Sequence, residues 1–364
     1  MNMSTLDYFI AGEWQKKAPA SEDERPYLFE DKVSNNFADY QAFDLEKFKS
    51  GEYLNHVGSL EYASANDVLM AASLMPEPQS LWGDGLIYEN EVTCLYSDSN
   101  TGKSILSVQI GNDIAKMGKI VLYIDFELSK AQFRKRYKNE RGEDYEFSPN
   151  FLRCNSCQYA IFDEDTIISD ILSACGDSGA EVVIIDNLTW LDSNVEKGDA
   201  AASLMKELVA LKQNHGLTVI VISHTPKRDL FRPITQNDLS GSKKIMNFVD
   251  AAITIGKCAN EPNLRYIKQI KVRSDSFTYH ADNVLVCELS KGENDNYLHL
   301  EPIRTATEAE LLRSNETRDS LSHQVKHLTD LGKSQREIAR ELGVSKTSVG
   351  NYQKRLSNES NNQP

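Results

Sequence analysis

From Glu91 onward, short runs of consecutive apolar residues alternate with longer segments in which apolar positions recur at helical spacing. The runs Val92 to Tyr96, Ile120 to Phe126, Val182 to Asp186, Thr218 to Ser223 and Ala251 to Ile255 read as strands buried on both faces. Between them, Lys103 to Met117, Asp165 to Cys175 and Ala200 to His215 read as helices. Such alternation predicts an α/β fold, a mostly parallel sheet with crossover helices on both faces. Leu264 to Lys271, Val284 to Leu289 and Tyr297 to Leu300 follow without intervening helices and predict an antiparallel extension of that sheet.

The same pattern divides the chain. Over residues 1–80 no period persists: aromatics scatter among charges, Asn66 to Leu74 suits one helix, and Pro76 and Pro78 then break the chain. This part reads as an extension that packs on the main domain or a neighbouring subunit. Residues 81–304 carry the α/β pattern. Residues 305–319 read as a linker or exposed helix, 320–358 as a small all-α unit and 359–364 as a disordered tail.

Composition narrows the function classes. The 364 residues carry a net charge of -14, with 40% hydrophobic and 26% charged positions, as in a folded soluble protein. The longest aliphatic runs, Val182 to Ile185 and Val219 to Ile222, are too short to span a bilayer, so no membrane partner is expected. No basic segment leading into an apolar run opens the chain, and the six cysteines are scattered, which together predict a cytoplasmic location. The acidic surplus excludes a protein that coats nucleic acid with its whole surface.

Candidate chemistry begins at the end of the first strand of the pattern. Gly102, Lys103 and Ser104 match the close of a phosphate-loop pattern, and the loop lies between a strand and a helix as that chemistry requires. Ser97, Asp98, Ser99, Asn100, Thr101, Gly102, Lys103, Ser104 and Ile105 would line a nucleotide. Lys103 would reach its β- and γ-phosphates, and the Ser104 hydroxyl would bind Mg²⁺. Ser97 departs from the pattern, which has its first glycine there, and Asp98 adds a negative charge. At the next strand end, Glu127 suits a base for the water attacking the γ-phosphate, with Asp125 as the alternative. A carboxylate there can equally cap the following helix. Asp186 ends the strand after that, where an acid supports Mg²⁺. These residues imply ATP and Mg²⁺ as ligands.

His224 stands at a further strand end. With it the chain resembles the RecA-fold ring ATPases, particularly the RepA-like and DnaB-like hexameric helicases. The resemblance covers about Leu81 to Pro302 and includes the segment Leu239 to Asp250 and the element Ile270-Lys-Val-Arg273. It implies a RecA-like core, a homo-oligomer of six subunits, ATP hydrolysis between subunits and single-stranded DNA in a central channel. It gives His224 the role of γ-phosphate sensor and sends Lys271 and Arg273 into a neighbour's site. It implies DNA contacts from loops at 192–199 and 226–239, where Lys227, Arg228 and Arg232 suit phosphates.

Residues Gln335 to Arg355 resemble the helix-turn-helix units of resolvases, transposases and sigma-factor regions. Ile338, Leu342, Val344, Val349 and Tyr352 would form its core, and Gly343 its turn. Lys346, Thr347, Ser348, Asn351 and Lys354 would face the major groove of duplex DNA. Residues 320–358 hold seven Lys/Arg against three Asp/Glu, a net +4 within an acidic chain. A protein-docking hairpin is the competing reading of this unit. Cys154 and Cys157 have metal-pair spacing, but no second pair accompanies them.

The expected function is an ATPase acting on DNA, a helicase or replication protein of a plasmid or mobile element. An ATP-switched DNA-binding regulator and a non-catalytic loader or scaffold are the alternatives.

Overall fold

The computed structural model of the chain describes residues 7–10, 13–16, 51, 54–58, 60–155, 166–191, 198–225, 230–239, 242–291, 296–313, 315–344 and 346–361. It divides into two compact units, Met1–Glu77 and Pro78–Pro364.

The first unit contains the hairpin β1 (Asp7–Ile10) and β2 (Glu13–Lys16), the hairpin β3 (Asn55–Val57) and β4 (Leu60–Tyr62), and helix α1 (Ala65–Leu74). Ser64 caps α1 by accepting from the Asp67 amide. The strands are only three or four residues long, too short for the sequence to show a period of two.

The second unit opens with the hairpin β5 (Ser80–Trp82) and β6 (Ile87–Tyr88). Its parallel strands are β7 (Val92–Ser97), β8 (Val121–Asp125), β9 (Phe151–Cys154), β10 (Val182–Asp186), β11 (Thr218–His224) and β12 (Ala251–Lys257). The antiparallel strands β13 (Leu264–Lys271), β14 (Val284–Ser290) and β15 (His299–Ala306) continue the same sheet. Across its nine strands the order is β15-β14-β13-β12-β7-β11-β10-β8-β9. The expected parallel sheet with an antiparallel extension is therefore the architecture found. That order puts the loops leaving β7, β8, β10 and β11 at one edge, where open α/β sheets bind ligands.

Helices α2 (Lys103–Lys116), α3 (Lys130–Arg136), α4 (Ile167–Ser178), α5 (Leu188–Leu191), α6 (Gly198–His215) and α7 (Ser242–Phe248) connect the strands. Successive strand residues enter two cores on opposite faces. Val183, Ile185, Val219 and Val221 join Leu204, Leu208 and Ile245 in one core, while Ile184, Ile220 and Ile222 join Leu106, Ile110 and Ile114 in the other. Both faces being covered is why these strands read as unbroken apolar runs.

Glycines in α2 and β12 mark close approaches to residues of the sheet. A Cβ at Gly111 in α2 would lie 2.6 Å from Phe151 Cε2, so α2 sits tightly on the sheet. At Gly256 in β12, a Cβ would lie 2.0 Å from Tyr266 Cζ. Gly256→Ala is expected to lower unfolding stability by about 2–3 kcal/mol through overpacking, read from urea denaturation; an unchanged midpoint would contradict that packing.

Residues 305–319, expected as a linker or exposed helix, contain the end of β15, helix α8 (Glu308–Leu311) and the start of α9 (Asn315–Asp330). β15 is an edge strand with mostly exposed residues, which hides its pattern. Glu308 is buried because its carboxylate accepts from the Ile234 amide, the Tyr266 hydroxyl and Lys268 Nζ.

Beyond α9 lie α10 (Gln335–Glu341) and α11 (Lys346–Asn361). Val325, Leu328, Ile338, Val349 and Tyr352 form a small separate core there, with Phe231 packed against it. Ser334 and Glu337 form a capping box at the start of α10, and Gly343 takes a left-handed conformation (φ 63°) before α11. Among the described residues, no helix is long and apolar enough to cross a membrane.

Candidate nucleotide site

The loop leaving β7 reaches α2 through two left-handed residues, Asn100 (φ 58°) and Gly102 (φ 106°). Asparagine tolerates that region and glycine occupies it freely. Ser97 still lies within β7 and is absent from the left-handed set, so the backbone demands no glycine there. Its hydroxyl instead pairs with that of Thr101. Among the described residues, no acceptor takes the backbone N–H of Gly102, Lys103 or Ser104. Such orphan donors at a helix N-terminus suit an anion.

Lys103 is 5% exposed, and its Nζ donates to the carbonyls of Ser97 (2.8 Å) and Asp98 (2.9 Å). Burial pulls its ammonium down to about 8, against the opposing charges of Asp186, Asp98 and Glu127. The Tyr123 hydroxyl donates to Asp186 Oδ2 at 2.8 Å, and the Ser104 hydroxyl bonds the same carboxylate. Burial pushes Asp186 up to about 6. Ser104 and Asp186, expected to support Mg²⁺, are thus in contact.

At the end of β8 the two acids separate by role. Asp125 accepts from the Glu127 and Leu128 amides through Oδ1 and pairs with Arg153 at 2.8 Å through Oδ2. Its oxygens are engaged in fixing the turn. Glu127, by contrast, is partly open, with Oε1 3.5 Å from His224 Nε2. The Asn187 side-chain amide donates to Glu127 and lies 3.1 Å from His224 Nε2. Hydrogen bonding to His224, opposed by burial, holds the Glu127 carboxyl below its usual range, with help from the charge of Lys103. Strand pairing sets His224 opposite Ser97 and Asp186 opposite Asp125. Lys103, Ser104, Glu127, Asp186 and His224 therefore converge on one sheet edge.

Sequence reasoning did not find Asn187, Tyr123 or Arg153. Asn187 follows Asp186 directly, but nothing in the pattern distinguishes an amide at that point from an ordinary strand-ending residue.

Lys271 and Arg273 lie elsewhere. Lys271 Nζ donates to the Met246 carbonyl, and Arg273 pairs with Asp250 at 3.1 Å and bonds the Asn247 carbonyl. The Asp250 amide bonds the Val92 carbonyl at the opposite end of β7 from Ser97. Five residues of strand separate those ends, on the order of 16 Å. Arg273 thus occupies the edge of the sheet away from its own phosphate loop.

Arg232 is exposed and lines a small cavity together with Ser97, Asp98, Thr101 and Lys257, which sets it beside the phosphate loop. Lys227, Arg228 and residues 192–197 lie outside the described residues. On α11, Lys346, Thr347, Asn351 and Lys354 are exposed and Ser348 is half-buried, while Val349 and Tyr352 enter the small core.

The loop, the acidic strand ends and the strand carrying His224 fall in one segment that matches a known family model. Residues 61–229 match AAA_25, an AAA domain. The DNA repair protein RadA of Campylobacter jejuni is 25% identical over 178 residues, 47% of this chain and 34% of RadA. The chain thus spans about a third of the length of that curated relative. Among solved structures, a KaiC-like protein from the archaeon Pyrococcus horikoshii aligns over 60% of this chain and 94% of its own, with 18% identity and a TM-score of 0.45. The AAA-domain match, the sheet order and the loop geometry agree on a P-loop nucleotide-binding core.

Proposed function

We propose that the protein hydrolyses ATP at the edge where Lys103, Ser104, Glu127, Asp186 and His224 converge, and that it couples this to DNA as a ring-forming helicase or replication protein. The observation that carries the ATPase reading is Lys103, a buried ammonium bonded to two carbonyls beside unsatisfied amides. Such a site gains most from an anion that supplies the missing partners.

Ser104 and Asp186 would suit Mg²⁺, an ion that needs few ligands from the protein. When bound, the ion would supply charge neutralisation on the β- and γ-phosphates. Among the described residues no group of three His, Cys, Asp or Glu forms a metal cage, and this arrangement needs none. Lys103 would hold the phosphates. Glu127, kept ionised by His224, would accept the proton of the attacking water. Asn187 would fix the direction of that carboxylate, and His224 would register the γ-phosphate through the same contact. Asn187→Ala is expected to lower kcat about 10- to 50-fold with little change in KM, within the range for a misoriented base, measured by steady-state phosphate release; an unchanged kcat would remove Asn187 from the site.

For the DNA half, support comes from the exposed Lys346, Thr347, Asn351 and Lys354 on one side of α11, read as a helix-turn-helix for duplex DNA, and from Arg232 beside the phosphate loop. Arg273, remote from its own loop, suits a role in a neighbour's site, as a six-membered ring would require. Phosphate release should rise on adding single-stranded DNA, and the protein should assemble with ATP and Mg²⁺. Duplex binding without turnover would favour the alternative reading, an ATP-switched DNA-binding regulator. Turnover absent and duplex binding absent would leave the loader or scaffold reading.

A further inference from the structure

Four carbonyls of the phosphate loop are held by cationic side chains. Lys103 takes those of Ser97 and Asp98. The other two cations come from strands outside the loop. Lys257, ending β12, donates to the Ser99 carbonyl at 3.2 Å, and Arg265, near the start of β13, donates Nε to the Thr101 carbonyl at 3.0 Å.

Arg265 is 9% exposed, and its Nη1 donates to the carbonyls of Pro262 (2.6 Å) and Leu264 (2.7 Å). No carboxylate among the described residues lies within ion-pair distance of it. Burial pulls its guanidinium below the ordinary arginine range. A buried cation satisfied only by carbonyls is an expensive way to fill a strand position, since an apolar side chain would pack there at less cost.

The gain lies in peptide orientation. A trans peptide directs its C=O and N–H to opposite sides. With the Thr101 carbonyl drawn toward β13, the Gly102 N–H is turned away from that strand, among the unsatisfied amides of the loop. Holding the Ser99 carbonyl does the same for the Asn100 N–H. Successive amides turned inward form an anion-binding concavity. This loop also carries an acid at Asp98, so it gains from added positive charge.

We propose that Arg265, assisted by Lys257, is a positioning residue that presets the phosphate loop for a nucleotide di- or triphosphate. The proposal rests on the nucleotide-site reading above. Its test uses the full-length chain titrated with mant-ADP and Mg²⁺, beside thermal melts and ATP turnover. Arg265→Met should weaken mant-ADP binding about 10- to 30-fold, the scale of one charge-assisted hydrogen bond. KM for ATP should rise in parallel while kcat stays within about threefold. Arg265→Lys should recover part of the affinity, and Lys257→Met should weaken binding about 3- to 10-fold. A folded Arg265→Met protein that binds as tightly as wild type overturns the proposal. If Arg265→Met does not fold, Lys257→Met decides, and unchanged affinity there overturns it equally. Wild-type protein that binds no mant-ADP refutes instead the nucleotide reading itself.

Discussion

Lys103→Ala is expected to abolish measurable ATP turnover, to weaken nucleotide binding at least about 100-fold and to leave the unliganded protein no less stable. The first two effects follow from losing charge-assisted bonds to phosphate, each worth about 1.5–3 kcal/mol. The third follows from the geometry of the loop. Lys103 Nζ is buried against two carbonyls, and its lowered proton affinity shows that burial outweighs its attractive neighbours. Removing it relieves that cost, so a structural lysine and a ligand-holding lysine predict opposite shifts in melting temperature. A variant that melts much earlier yet still turns over ATP would refute the assignment. The titration of Lys103 gives a companion result. With its ammonium down to about 8 in the unliganded state, nucleotide affinity should fall as pH rises through that value, because phosphate binds the charged form.

Glu127→Gln is expected to lower kcat about 10²- to 10³-fold while nucleotide affinity stays within about threefold. Glutamine keeps the shape and can still accept from the Asn187 amide, but it cannot take a proton from water. The informative comparison is Asp125→Asn, two residues earlier on the same strand end. Asp125 is fully buried, pairs with Arg153 and holds two amides, so weakening it leaves a largely buried guanidinium poorly compensated. That variant should lose about 3–5 kcal/mol of stability, seen by denaturant unfolding. Equal stability loss in both variants, or full turnover in Glu127→Gln, would overturn the division of labour between the two acids.

That division was not legible in the sequence. The run ending Asp125-Phe-Glu127 offers two acids at one strand end, and only the return of Arg153 on β9 shows which is engaged. β9 itself escaped because Phe151–Cys154 places an arginine in a four-residue strand. The central strands were legible for the opposite reason: burial on both faces leaves no polar position in Val182 to Ile185 or Val219 to Ile222. The phosphate loop and Asp186 could be read because their chemistry is local to a strand end. Asn187, Arg265 and the buried pair of Lys268 with Glu308 could not, since each matters through a partner distant in the chain.

The phosphate loop and Arg273 stand at opposite edges of one sheet, and this has a consequence for symmetry. If Arg273 serves the nucleotide of another copy, the surface that gives and the surface that receives are different. Where the giving and receiving edges lie in separate interfaces, the contact is heterologous and does not close as a two-fold dimer. Each copy then offers one unfilled edge to the next, so the assembly must either rotate shut into a cycle or continue as a helical filament. Whichever it does, every copy points the same way around the axis. A polymer threaded through it would meet a track with a built-in direction.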